Sequence, residues 1–190
     1  KFTFGWTNTF RYKNFDLSFF INGSYGNKVY NYLSMKLTHM NSPWTNQLNA
    51  VNGRAQLVPI NPNKVYEDGT MWYNDVSNVM VANPGASIPR ATINDPNDND
   101  RISDRYIEDG SYIRLKNISL GYTFPKKTID KLGLSNLRIY ANIQNLLTIT
   151  GYDGYDPEIG ASTSSVNVYG LDNGRYPSPT VYSFGLNVSF

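Results

Sequence analysis

Hydrophobic and polar positions alternate with a period of two over five stretches of the chain, and connections of very unequal length separate them. In KFTFGWTNTFRY, Phe2, Phe4, Trp6, Phe10 and Tyr12 fall on one side and Thr3, Gly5, Thr7, Thr9 and Arg11 on the other. This is the pattern of a strand with one apolar and one polar face. After Lys13-Asn14 the alternation resumes, with Phe15, Leu17, Phe19, Ile21 and Tyr25 opposed to Asp16, Ser18, Asn22 and Ser24. A tight hairpin of strands 2–12 and 15–26 is predicted. From Asn27 the period lengthens, and Val29, Leu33, Leu37 and Met40 predict a short amphipathic helix over about 28–40. Residues 41–110 hold no sustained period. Alternation returns at 111–124 (Ile118, Leu120, Tyr122, Phe124), at 136–149 (Leu137, Ile139, Ala141, Ile143, Leu147, Ile149) and at 180–190 (Tyr182, Phe184, Leu186, Val188, Phe190). Pro125 ends the third strand, and PKKTIDKLG predicts a brief helical turn before the fourth.

The connections alternate between short (13–14, 125–136) and long (27–110, 150–179), which is the habit of outer-membrane barrels. A strand of about 11 residues, at ~3.4 Å per residue and tilted near 45°, rises roughly 26 Å, the height of the apolar band of such a barrel. The expected fold class is therefore all-β, the strands of a transmembrane barrel with long extracellular loops and short periplasmic turns. Even residues 182–190 and odd residues 137–143 are expected to face lipid, and Arg138, Asn142 and Gln144 the lumen. Five strands cannot close alone, because unpaired groups in lipid cost several kcal/mol each and the smallest bacterial barrels have about eight strands. The alternative is a free-standing soluble β-sandwich that binds carbohydrate through loop aromatics. The spacing fits a sandwich poorly, since turn signals should then recur every 8–12 residues or so.

Composition agrees with a wet–dry boundary. Charged residues are 17%, below the roughly 25% of soluble domains, and 15 Tyr dominate the aromatic content. A net charge of +2 with no Lys/Arg run speaks against a nucleic-acid partner. The lack of Cys excludes disulfides and thiolate metal sites, and no apolar run is long enough for a transmembrane helix.

Candidate chemistry is sparse. His39 is the only histidine, so no His-based triad can form. Asp153, Asp156 and Glu158 in GYDGYDPEIG have the makings of a glycosidase carboxylate pair, but a turn-rich loop is the better reading, and no enzyme is expected. Asp95, Asn97 and Asn99 stand at alternate positions, as at the start of a calcium loop. Asp100 and Tyr106 occupy the places where that loop needs Gly and Glu, so an Asx-turn cluster is expected, with calcium as the alternative and no other cofactor. Trp44, Trp72, Tyr73 and Tyr155, with Asp153, are candidates for contact with a ligand or a protein lid, against the plainer reading that the aromatics order their own loops. Arg114 and Lys116 share the parity of Ile118 and Leu120. They are expected to project outward above the apolar band onto lipid headgroups, unless a bulge turns them into the lumen or onto a loop.

Three segments, SDRYIEDGSYIRLKNISLGYTFPKK (103–127), LRIYANIQNLLTITGYDGYDPEIG (137–160) and the aromatic-terminated TVYSFGLNVSF (180–190), resemble the C-terminal part of the SusC/RagA family of TonB-dependent outer-membrane transporters. The resemblance implies a roughly 22-stranded barrel around a plug domain. It also implies a SusD-like surface lipoprotein as lid, and energised import of an oligosaccharide or peptide substrate. The remainder of the barrel, the plug and the segment that engages TonB are expected to precede Lys1. The location implied is the outer membrane of a Gram-negative cell, with its lipid as solvent. Phe190 resembles the terminal aromatic that the barrel-assembly machinery recognises, at the periplasmic rim. It equally suits an interfacial aromatic anchor.

Overall fold

The computed structural model describes residues 1–158 and 169–190. Along the chain these residues form β1 (Phe2–Tyr12), β2 (Phe15–Tyr25), β3 (Lys28–Asn31), α1 (Tyr32–Thr38), β4 (Leu57–Pro59), β5 (Val79–Val81), β6 (Ile107–Asp109), β7 (Tyr112–Thr123), α2 (Lys126–Ile129), β8 (Asn136–Thr150), β9 (Leu171–Asp172) and β10 (Val181–Ser189). The chain divides into two compact units, residues 1–31 with 107–190, and residues 32–106.

In the first unit five long strands make one antiparallel sheet in the order β1-β2-β7-β8-β10. Its register gathers the apolar positions of separate strands into continuous rows. Phe10, Leu17, Leu120, Ala141 and Phe184 stand side by side, as do Tyr12, Phe15, Tyr122, Ile139 and Leu186. Opposite them lie polar rows, one of them Ser18, Ser119, Asn142 and Ser183. The apolar face is open: Trp6 is 53% exposed, Phe184 84% and Leu186 61%. A sandwich would bury this face.

On the polar face Arg138 of β8 reaches across β7 to Asp16 of β2, Nη2 to Oδ2 at 2.6 Å. Gly121 lies under this bridge. A Cβ there would stand 2.3 Å from the guanidinium and 2.6 Å from Asp16 Oδ1, so only glycine leaves the pair its path.

The strict alternation of β7 breaks once. Opposite Phe20 and Ile21, which are adjacent on β2, β7 runs from Asn117 to Leu115, with Lys116 as the extra residue. The β8 pairing shifts at the same level, where Asn145 takes a positive φ of 52°. A bulge of one residue inverts facing beyond it. Ile113 and Leu115 therefore join the apolar face, opposite Ile149 and Leu147, while Arg114 pairs with Asn22 and Thr148 on the polar face. The outward projection expected for Arg114 and Lys116 is corrected: the bulge turns Arg114 inward to 3% exposure.

A second correction concerns the helix expected over 28–40. Residues 28–31 are strand, and the helix is confined to Tyr32–Thr38. Val29, 2% exposed, is held in β3, which pairs antiparallel with β6 and parallel with β9. These long-range partners override a periodicity that rests on four apolar side chains.

The second unit is loop-like but ordered. It holds α1, the β4–β5 pair and several single 3-10 turns. Asn78, 3% exposed, fastens it through its side-chain amide, which donates to Asn61 O and Tyr66 Oη, while its Oδ1 accepts from the Asn61 N–H.

Candidate functional site

Among the described residues, candidate side chains gather in two places. The first is the end of β7 beyond the bulge. There Arg114 donates from Nε to Thr148 Oγ1 at 2.8 Å, from Nη1 to Glu158 Oε2 at 2.7 Å and from Nη2 to Asp156 Oδ1 at 2.5 Å. Lys116 completes the group by pairing with Glu158. Asp156 also accepts the backbone N–H groups of Glu158 and Ser178, each at 3.0 Å. Burial pushes the Asp156 carboxyl up, but these hydrogen bonds outweigh it and hold the group below the usual carboxylate range.

A tyrosine–aspartate pair extends the arrangement. Tyr152, 6% exposed, donates to Asp172 Oδ2 at 2.6 Å, and burial together with that bond pushes its hydroxyl well above the usual range. Asp172 in turn accepts from the N–H of Gly174. The acidic loop after β8 is thus docked onto the strand by charge, with Asp156 and Glu158 paired to Arg114 and Lys116. Asp153 stands outside the network, its N–H donating to Glu108 Oε2 at 3.1 Å. The arrangement holds a loop in place, and the two carboxylates of Asp156 and Glu158 are both ion-paired rather than poised across an open cleft. Residues 159–168, which include the end of the 137–160 motif and part of the 150–179 connection, lie outside the described residues.

The second place is a cleft of about 910 Å³ in the 32–106 unit, lined by Arg54, Gln56, Trp72, Tyr73, Arg90 and Thr92 among others. Trp72 and Tyr73 meet edge to face with ring centroids 5.6 Å apart. Two of the candidates read from the sequence are thereby brought together beside Arg54 and Arg90, which no sequence pattern singles out. Trp44 (93% exposed) and Tyr155 (64%) do not join them. Nearby, Asp95 accepts from the N–H and from the side-chain amide of Asn99, both at 2.6 Å, which closes an Asx-type turn. Phe190 is 93% exposed, and its carbonyl accepts from Ser135 Oγ, beside the short connection between β7 and β8.

An open antiparallel sheet of long alternating strands, with a long connection docked by charge at one end, has the form of a barrel wall. The comparisons then identify which kind. The chain is 35% identical over its whole length to TonB-dependent receptor P3 of Formosa agariphila, and 29% identical over 98% of its length to TonB-dependent receptor SusC of Bacteroides thetaiotaomicron. It spans 16% and 15% of those two proteins. Among solved structures, the RagAB peptide importer in its closed-closed state superposes on 99% of the chain with a TM-score of 0.69 at 21% identity, using 17% of the solved chain. No family model matches the sequence. From end to end the chain matches a segment of TonB-dependent receptors of the SusC/RagA type.

Proposed function

We propose that this chain is the C-terminal barrel segment of an outer-membrane TonB-dependent importer of glycans or peptides. In this reading the 27–110 and 150–179 connections face outward, toward a SusD-like surface lipoprotein. One observation carries it: an exposed apolar face that is continuous across five antiparallel strands of membrane-spanning length. The kinship with TonB-dependent receptors supports it from a separate direction. The role of the segment is mechanical. The sheet supplies lipid-facing wall and a polar inner surface, the charged dock fixes one outer loop, and the Trp72–Tyr73 cleft gives the other a surface for substrate or lid. Phe190 serves assembly, at the rim where the short turns lie.

The test uses the complete transporter that contains this chain. Uptake of labelled oligosaccharide and peptide mixtures is measured in cells with and without the transporter gene, and with and without TonB. A surface lipoprotein should co-purify with the tagged transporter, and uptake of one mixture should collapse in both deletions. Recovery of the protein in the soluble fraction, or unchanged uptake of both mixtures, would overturn the reading.

A further inference from the structure

The 32–106 unit has few buried apolar side chains for its size. Among its residues only Met35 and Tyr106 are buried hydrophobics, so something other than a core must tie its distant segments together. At one such tie, His39 follows directly on α1, its N–H donating to Met35 O at 3.1 Å. The Thr92 N–H donates to Met40 O at 3.1 Å and brings the 92–100 segment alongside. This sets the imidazole between two carboxylates. His39 Nε2 lies 3.0 Å from Asp95 Oδ2, and Nδ1 lies 3.8 Å from Asp100 Oδ2.

The imidazole is 11% exposed and the Asp95 side chain 10%, while Asp100 is half open to solvent at 52%. Asp95 is already fixed by the two hydrogen bonds from Asn99. Despite its short distance from Asp95, Nε2 makes no hydrogen bond among the described residues, because it is off the line that an N–H···O bond requires. A buried ring nitrogen and a carboxylate oxygen 3.0 Å apart with no hydrogen bond between them have the spacing of two ligands around one ion. One donor atom from each of His39, Asp95 and Asp100 falls within 4.8 Å of the others.

We propose that His39, Asp95 and Asp100 form a binding site for a divalent transition-metal ion of the zinc class. One imidazole and two carboxylates suit a borderline ion that accepts nitrogen and oxygen together, and the two negative charges balance its own. The open side at Asp100 leaves a position for water. Calcium is the poorer occupant, since it takes six to eight oxygens, roughly twice what three side chains supply. The cation thereby moves from Asn97 and Asn99 onto His39 and Asp100. A neighbouring cleft of about 420 Å³, lined by Asp95, Asn97, Asn99 and Arg90, gives an entry path. The ion would clip α1 to a segment more than fifty residues further on, where closing a long loop stabilises most.

The experiment is calorimetric titration of Zn²⁺ into the complete transporter, purified in detergent and stripped with chelator. Wild type should bind one equivalent more than His39→Ala, and Asp100→Ala should weaken that equivalent about tenfold or more. If His39→Ala fails to assemble, Asp100→Ala, at the exposed edge, carries the test. Equal stoichiometry and affinity in wild type and the assembled variants would overturn the site, and tighter binding of Ca²⁺ than of Zn²⁺ would overturn the class of ion. Zinc binding is scored without transport, so failure here leaves the import reading standing, and loss of import leaves this site standing.

Discussion

Leu186 and Asn142 sit on neighbouring strands but on opposite faces of the sheet, Leu186 beside Ile139 and Asn142 beside Ser183. Leu186→Arg or Ile139→Arg puts a cation on the face proposed to meet lipid, at a cost of about 2 to 4 kcal/mol near the midplane. Either should lower the yield of heat-modifiable, assembled barrel on a gel, while Asn142→Arg should leave it nearly unchanged. Equal damage from all three would assign the faces wrongly. At this scale the sequence was readable wherever strict alternation held, as from Tyr182 to Phe190. It misled at Arg114 and Lys116, because a bulge adds one residue without changing the kind of residue, and parity counted from Ile118 runs straight through it. The warning was present as two cations on an otherwise apolar parity. Their partners, Asp156 and Glu158, lie some forty residues on, in a loop with no period to align against the strand.

The dock between β7 and the loop after β8 behaves as a unit and can be released in two ways. Arg114→Ala strands Asp156 among buried surroundings, and breaking one side of such a pair costs about 3 to 5 kcal/mol. The loop should then be cut faster by protease than in the wild type, while the sheet persists. Acid releases the same tie by a different route. The carboxyl of Asp156 titrates lower when folded than when unfolded, so its contribution is complete above the ordinary carboxylate range and is lost as pH falls through the depressed value. Cleavage of the 150–179 segment by an acid-tolerant protease should stay flat down to about pH 4, near the ordinary aspartate value, and rise only below it. A rise beginning near pH 6 would show that another group controls the loop. The cleft beside Trp72 and Tyr73 is only half legible in the sequence, because aromatics stand out in a polar loop whereas Arg54 and Arg90 resemble any surface cation until the chain folds them together.

For the whole molecule, long connections that face outward leave the short ones facing the periplasm. Protease added to intact cells should cut within the two long connections, and Lys126 and Lys127, in the short connection, should be cut only after the outer membrane is permeabilised. Cleavage there in intact cells would reverse the assignment. The small sheet beside the long one bears on how such a protein is made. Tyr30 pairs with Ile107 on one side and Leu171 on the other, so β3 acquires its second neighbour only from a segment close to the far end of the sequence. Pairing over such separations is slow, because loop-closure entropy must be met before any contact rewards it. This corner of the fold therefore completes late, and until it does, β3 presents a row of unsatisfied amides to any chain nearby. A shorter connection between β8 and β9 would bring that second neighbour within reach sooner and shorten the interval.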